Sequence, residues 1–204
     1  MTVWTISAQE GTGGEQVAAE LAAAAGVRLL DHQALAALAR DIDPDHLDVE
    51  EFDRLEERFG GRLRTVALNM AMISGPVTGA AIQELQLLHK LPELGRAVLT
   101  EAARRPCVIL APAAFAATQR HPSVIHARLR APVACRIATY QREHLVDHDR
   151  ARSLVTHDDH IQRDWARTIY HVDLTDDALF TIALDASRFT REQLVNILLA
   201  AGRI

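Results

Sequence analysis

Residues 7–16, SAQEGTGGEQ, set Gly11, Gly13 and Gly14 between a short apolar run and a helical pattern. Main-chain N–H groups that converge at such a turn, at the head of a helix, make a seat for phosphate. The candidate ligands are the amides of Gly11, Thr12, Gly13 and Gly14. Two stricter templates fail. For a dinucleotide fingerprint, Gly11 and Gly13 match and Asp31 stands where a ribose-binding acid belongs, but Gln16 replaces the glycine needed for close helix–sheet packing. For a Walker loop ending at Gly13, the first glycine becomes Ala8, the lysine Gly14 and the hydroxyl Glu15. A turn that only caps a helix also explains these glycines, with Glu15 suiting the helix dipole. No lysine or arginine precedes Arg28.

Other side chains invite chemistry further along. His157, Asp158, Asp159 and His160 form a compact HDDH. Histidines at i and i+3 share a helix face and can bind a metal, but no third ligand is specified, so a solvated His/Asp surface is the simpler account and no metal is expected. Arg150, Arg152, Arg163 and Arg167 lie near one another in a polar stretch. They form either a salt-bridged helical face or a phosphate clamp. Lys90 is the only lysine. Arginine suits bidentate phosphate recognition, although codon bias in an alanine-rich chain explains the same usage. Cys107 and Cys135 have no metal spacing and read as buried, reduced thiols.

The elements that must position these groups follow from hydrophobic pattern. Five apolar runs read as strands: Val3–Ser7, Val27–Asp31, Cys107–Ala111, Val124–Leu129 and Phe180–Asp185. Helical patterns separate them, with Val17, Leu21 and Ala24 before a stop at Gly26, and Leu35, Leu38 and Ala39 after the second run. Leu194, Ile197 and Leu198 form the face of a last helix, opened by a Thr190/Gln193 capping box. Alternating strands and helices mean an α/β fold, a parallel sheet covered by helices. Residues 43–105 break the alternation as a helical insertion, interrupted at Gly60–Gly61 and Ser74–Gly79. Within it, Phe52, Leu55 and Phe59 mark an amphipathic surface helix, and Val66–Ile73 is core or a subunit contact, which suggests a homodimer. Residues 147–167 form a second interruption, a polar helical hairpin.

A chain of 204 residues that is 49% hydrophobic suits one domain. Its net charge of −5 gives no support for a nucleic-acid or acidic-membrane partner. Without a membrane-length apolar run or a basic-then-apolar leader, the expectation is a soluble, cytoplasmic protein.

Five segments taken in order carry a resemblance: WTISAQEGTGG, VRLLDHQALAALAR, RRPCVILAPAAFA, LRAPVACRIATYQRE and DDALFTIALDASRFTREQLVNIL. The set resembles the cytidylate kinase-like family, in the nucleoside monophosphate kinase branch of P-loop proteins. The resemblance implies one domain over residues 1–204 with a five-stranded parallel sheet, a helical insertion at about 43–105 for the acceptor nucleotide, and a helical lid at about 147–170. It also implies ATP and Mg2+ as cofactors if the protein is active, and a nucleotide or phosphate-bearing small molecule as partner. Asp31 and Arg136 match the acceptor side, and Gly11 to Gly14 match the donor loop. Arg163 fits the lid arginine, with Arg152 and Arg167 as companions.

The departures remove charge. Family loops resemble SREYGSGGR, and here those two arginine positions hold Ala8 and Glu15. A further arginine in GRGA after the third strand is replaced within Ala111, Pro112, Ala113 and Ala114. Cations at the phosphates are the catalyst in phosphoryl transfer, and one clamping arginine contributes roughly 10³-fold or more. The expectation is therefore a nucleotide- or phosphate-binding protein with weak or lost transfer to a nucleoside monophosphate. The alternatives are an active nucleotide or small-molecule kinase using lid arginines, and a non-catalytic interaction protein on a kinase scaffold.

Overall fold

The computed structural model describes residues 2–42, 96–111, 114–118 and 123–202. The expected insertion lies largely outside the described residues, including Gly60–Gly61, Ser74–Gly79, the Phe52, Leu55 and Phe59 face and Val66–Ile73. A helical segment over 96–102 leads from it into the sheet.

The elements in chain order are β1 (Val3–Ala8), α1 (Gly14–Ala25), β2 (Arg28–Leu30), α2 (His32–Ile42), β3 (Cys107–Leu110), α3 (Ala114–Thr118), β4 (Val124–Arg130), α4 (Val133–His144), α5 (His148–Tyr170), β5 (Ile182–Asp185) and α6 (Arg191–Ala201). The strands form one parallel sheet in the order β2-β3-β1-β4-β5. β1 lies in the centre, with Val3 opposite Cys107 on one side and Val124 on the other. Near-continuous apolar strands suit this place because helices cover both faces. On one face Trp4, Ile6, Ala127 and Leu129 pack against Val17 and Leu21 of α1 and Leu194 and Leu198 of α6. On the other, Val3, Cys107 and Ile109 meet Leu99 and Ala102 of the 96–102 segment.

Local signals set the ends of these elements. α1 stops at Gly26, whose φ of 66° lets its N–H reach back to Ala22 and Ala23 carbonyls. Thr190 and Gln193 exchange their capping hydrogen bonds at 3.2 and 2.9 Å. Thr190→Ala is expected to lose about 1 kcal/mol, read as a drop of about 2–4 °C in melting temperature.

Two elements differ from the pattern-based expectation. β5 begins at Ile182 rather than Phe180, because Asp176 caps a 3₁₀ turn over Asp177–Leu179 and Phe180 packs its ring at a tilt against Phe115, centroids 4.6 Å apart. The polar stretch from 147 is one helix of 23 residues, not a hairpin. No glycine or proline interrupts residues 148–170, and Asp147 caps its start by accepting from the Arg150 N–H at 2.8 Å. The hairpin instead joins α4 to α5 through Leu145, left-handed at φ 53°. Ile137, Ala151 and Val155 make its seam.

Candidate functional site

The loop that follows β1 closes on itself before it meets any ligand. The Gln9 N–H donates to Leu129 O at 3.0 Å, extending the sheet by one residue. The Thr12 N–H and hydroxyl both donate to Gln9 O, at 3.1 and 2.6 Å, drawing the chain into a tight turn. Gly11 adopts φ 80°, and a Cβ there would lie 2.5 Å from the Arg136 carbonyl oxygen. A Cβ at Gly14 would overlap that of Ala8. These glycines are needed by packing, whatever the loop holds.

Carboxylates crowd the loop. Asp158, arriving from α5, accepts from Gln162 Nε2 at 2.8 Å and lies within electrostatic reach of Glu10, and Glu10 in turn feels Glu15 and Glu143. At the head of α1, the N-cap Gly13 supplies no side-chain bond to the first helical amides.

A buried arginine ties loop, α4 and α5 together. Arg136, 3% exposed, donates through Nη1 and Nη2 to both oxygens of Asp159, at 3.1 and 2.6 Å. Nε reaches Ala131 O at 3.1 Å, and Nη1 reaches Glu10 O at 3.1 Å. The next turn of α5 adds Gln162, whose Nε2 donates to Ala8 O at 3.1 Å and to Asp158 Oδ2 at 2.8 Å.

Beneath this layer the sheet is polar. Arg128 of β4 is buried and donates to Ser7 Oγ at 2.6 Å. Thr5 Oγ1 and His126 Nδ1 lie 2.8 Å apart one pleat away. Burial pushes the Arg128 guanidinium down to about 10, against the pull of Asp159. Burial, then the charges of Glu10 and Asp159, push Asp158 up to about 6. Glu10 is raised for the same reasons, by burial first and then by Glu15.

Two cavities flank the loop. The one of ≈ 290 Å³ over it is lined by the glycines and by Glu10, Glu15, Glu143, His144 and Gln162, and among the described residues no lysine or arginine lines it. The other, ≈ 240 Å³, lies between the loop, α4 and the start of α6. It carries Arg142, Arg191, Thr139 and Ser187 around an apolar floor that includes Val17 and Leu194.

The cytidylate kinase-like family model matches residues 3–188. The chain belongs to this family. Solved structures share the fold. An uncharacterised protein from Eubacterium ventriosum aligns with a TM-score of 0.66 at 17% identity, covering 99% of this chain and 98% of that one. A gluconokinase from Sinorhizobium meliloti gives 0.53 at 16% identity, with 98% and 90% covered. TT1252 from Thermus thermophilus gives 0.52 at 23%, with 98% and 95% covered. No curated protein matches the chain in sequence. The sheet order and flanking helices are those of P-loop kinases.

Within this cytidylate kinase-like frame, the residues singled out in the sequence fall in different places. Gly11, Gly13 and Gly14 border the cavity over the loop, and Gly11, Thr12 and Gly13 also border the second one. Arg136 lies below the loop, held by Asp159 and two carbonyls. Asp31 caps α2, accepting from the Ala34 N–H at 2.9 Å. Of the arginines expected to serve as a lid, Arg152 is exposed, Arg163 is half-buried, and Arg167 makes a surface pair with Asp173 at 2.6 Å. None of the three lines either cavity. The residues of α5 that bond to the loop are Asp159, which accepts from Gln9 Nε2 at 3.4 Å, and Gln162.

The HDDH stretch divides. His157 and His160 face solvent, but Asp158 and Asp159 turn inward to the loop and Arg136, correcting the expectation of a fully solvated surface. A helix rotates 100° per residue, so the middle pair points opposite to the outer one. Among the described residues no group of three metal-ligating side chains converges. Both cysteines are free, but only Cys107 is buried, its thiol pushed up to about 11 by burial. Cys135 is exposed on the first turn of α4, where it borders the second cavity. Among the described residues no helix is long and apolar enough to cross a membrane.

Proposed function

We propose that this chain is a nucleotide- or phosphate-binding member of the cytidylate kinase-like family in which ATP-dependent transfer to a nucleoside monophosphate is weak or lost. One observation carries the reading. The cavity over the glycine loop presents Glu10, Glu15 and Glu143, and among the described residues no lysine or arginine lines it.

Transfer of a phosphoryl group is accelerated by positive charge held at its oxygens. A carboxylate about 6 Å from a phosphate charge costs about 3 kcal/mol at an effective dielectric constant of about 20. The residues do not fit a magnesium–ATP complex seated in the P-loop manner. Thr12 directs its hydroxyl proton to Gln9 O, and Glu15 occupies the Walker hydroxyl position. Binding is better supported on the α6 side of the loop. There Arg142 and Arg191, the latter paired at the surface with Glu20 at 3.2 Å, outnumber the one carboxylate of Glu143, Thr139 and Ser187 supply hydroxyls, and the apolar floor suits a ring.

Calorimetry with ATP, GTP, CMP and dCMP, each with and without Mg2+, tests the reading. Binding is expected for at least one of them, with ADP release across an acceptor panel below about 0.01 s⁻¹, against roughly 1–100 s⁻¹ for working kinases. Turnover in the working range that Arg163→Ala abolishes would overturn it in favour of an active kinase. Absence of binding to all four would favour a scaffold that serves protein interactions.

A further inference from the structure

We propose that the cavity on the α6 side of the loop seats a nucleoside monophosphate, with Arg142 and Arg191 holding its single phosphate, and that it discriminates against di- and triphosphates. The proposal rests on the reading of this chain as a nucleotide-binding protein and names the ligand class of that site.

The two cavities beside the loop differ in the sign of their charge. The α6-side cavity brings Arg142 of α4 and Arg191 of α6 together against one carboxylate, Glu143. The cavity over the loop has the carboxylates of Glu10, Glu15 and Glu143 with His144 beside them, and among the described residues no lysine or arginine lines it. Both guanidiniums have donors to offer. Among the described residues Arg142 bonds only to Thr139 Oγ1, at 3.3 Å. Arg191 meets Glu20 of α1 at 3.2 Å, with both side chains about half exposed. So exposed a pair contributes little and yields to a stronger acceptor. A phosphate dianion is such an acceptor, matching the planar fork of each guanidinium. The head of α1 adds to the field. Gly13, its N-cap, makes no side-chain capping bond and borders this cavity, where the helix dipole favours an anion.

The rest of the cavity suits a ring and little more. Val17, Leu194 and Ala186 give it apolar wall, and Phe189, 38% exposed, stands at the same site. A planar ring laid there covers apolar surface that now meets water. The volume of ≈ 240 Å³ lies below the range of about 300–1,000 Å³ common for larger ligands.

Discrimination follows from how the cavities adjoin. Gly11, Gly13, Gln16 and Glu143 line both. A phosphate chain lengthened from the two arginines toward the loop enters the carboxylate side. Glu10 there is already held above the usual carboxylate range, by burial first and then by Glu15, so a further negative group is opposed. A chain turned away from the loop leaves the two guanidiniums behind. On either course the added phosphates bring charge without gaining those contacts. This inverts a working P-loop, where cations cradle the distal phosphates.

The test is calorimetry on the full chain in EDTA, with the series AMP, ADP, ATP and the series CMP, CDP, CTP. In whichever series binds, the monophosphate is expected to bind at least about tenfold more tightly than the triphosphate, a difference of about 1.4 kcal/mol. Arg142→Gln and Arg191→Gln are each expected to weaken the monophosphate roughly tenfold, the loss of a charge-assisted bond. Glu15→Gln, on the other side of the loop, is expected to strengthen the triphosphate and to leave the monophosphate within about twofold. Triphosphate binding as tight as monophosphate binding, or tighter, would overturn the inference and leave the nucleotide reading standing. Monophosphate binding that ignores both arginine changes would do the same. Absence of binding by every member of both series would end the inference and the nucleotide reading together.

Discussion

Arg136→Ala is expected to destabilise the protein by about 3–5 kcal/mol, the range for removing one partner of a buried ion pair. For a chain of 204 residues that is a fall of roughly 10 °C or more in melting temperature. The guanidinium is 3% exposed and bonds to Asp159, Glu10 O and Ala131 O. Its removal strips Asp159 of its ion pair, leaving it only the 3.4 Å bond from Gln9, and takes a donor from each of two carbonyls in a low-dielectric layer. Lysine is expected to recover little, since one ammonium cannot span both Asp159 oxygens and two carbonyls. The double change Arg136→Met, Asp159→Leu should cost less than the sum of the two single changes, because it removes the stranded charge. Denaturant titration of the four proteins of that cycle checks the claim. A loss below about 1 kcal/mol for Arg136→Ala would mean that the pair is no strut.

Gly11→Ala is expected to cost roughly 2–4 kcal/mol, and far more than the same change at Gly13. Both glycines are left-handed, at φ 80° and 71°, where alanine costs about 1–2 kcal/mol. They differ in surroundings. A Cβ at Gly13 meets only the tip of Gln16 at 3.6 Å, while one at Gly11 lies 2.5 Å from the Arg136 carbonyl oxygen. The first turn of α4 would have to move, carrying the Arg136 strut with it. Equal losses at the two sites, measured by denaturation, would show that α4 yields freely.

Much of the scaffold was legible from pattern alone. The apolar runs from Val3, Cys107 and Val124 became β1, β3 and β4, and Gly26 and Thr190 set helix ends as their chemistry requires. The site was less legible, because it depends on which way a polar helix faces. One residue of register is 100° of rotation, and that separates Arg163 from Gln162, whose side chain bonds to Ala8 O in the loop. The aspartates of HDDH read as solvated because nothing in their types marks burial. A weaker signal was present. Ala151, Val155 and Ala166 are buried at helical spacing on α5, and Asp158, Asp159 and Gln162 fall on the same stripe between them. Polar residues inside an apolar stripe indicate a paired, inward-facing group. Arg136 was read as a ligand for substrate from its place after β4, whereas its partners are Asp159 and main-chain carbonyls.

The central place of β1 bears on how the chain acquires its shape. Both edges of this six-residue strand are filled from far downstream, by Cys107–Leu110 and Val124–Arg130. A ribosome must release more than half of the polypeptide before the first strand can find either neighbour, and loops of that span close at an entropic cost. High contact order slows folding and prolongs exposure of bare strand edges. Assembly of the middle of the sheet is thus a late event, and the opening segment stays open to mispairing until β4 has emerged.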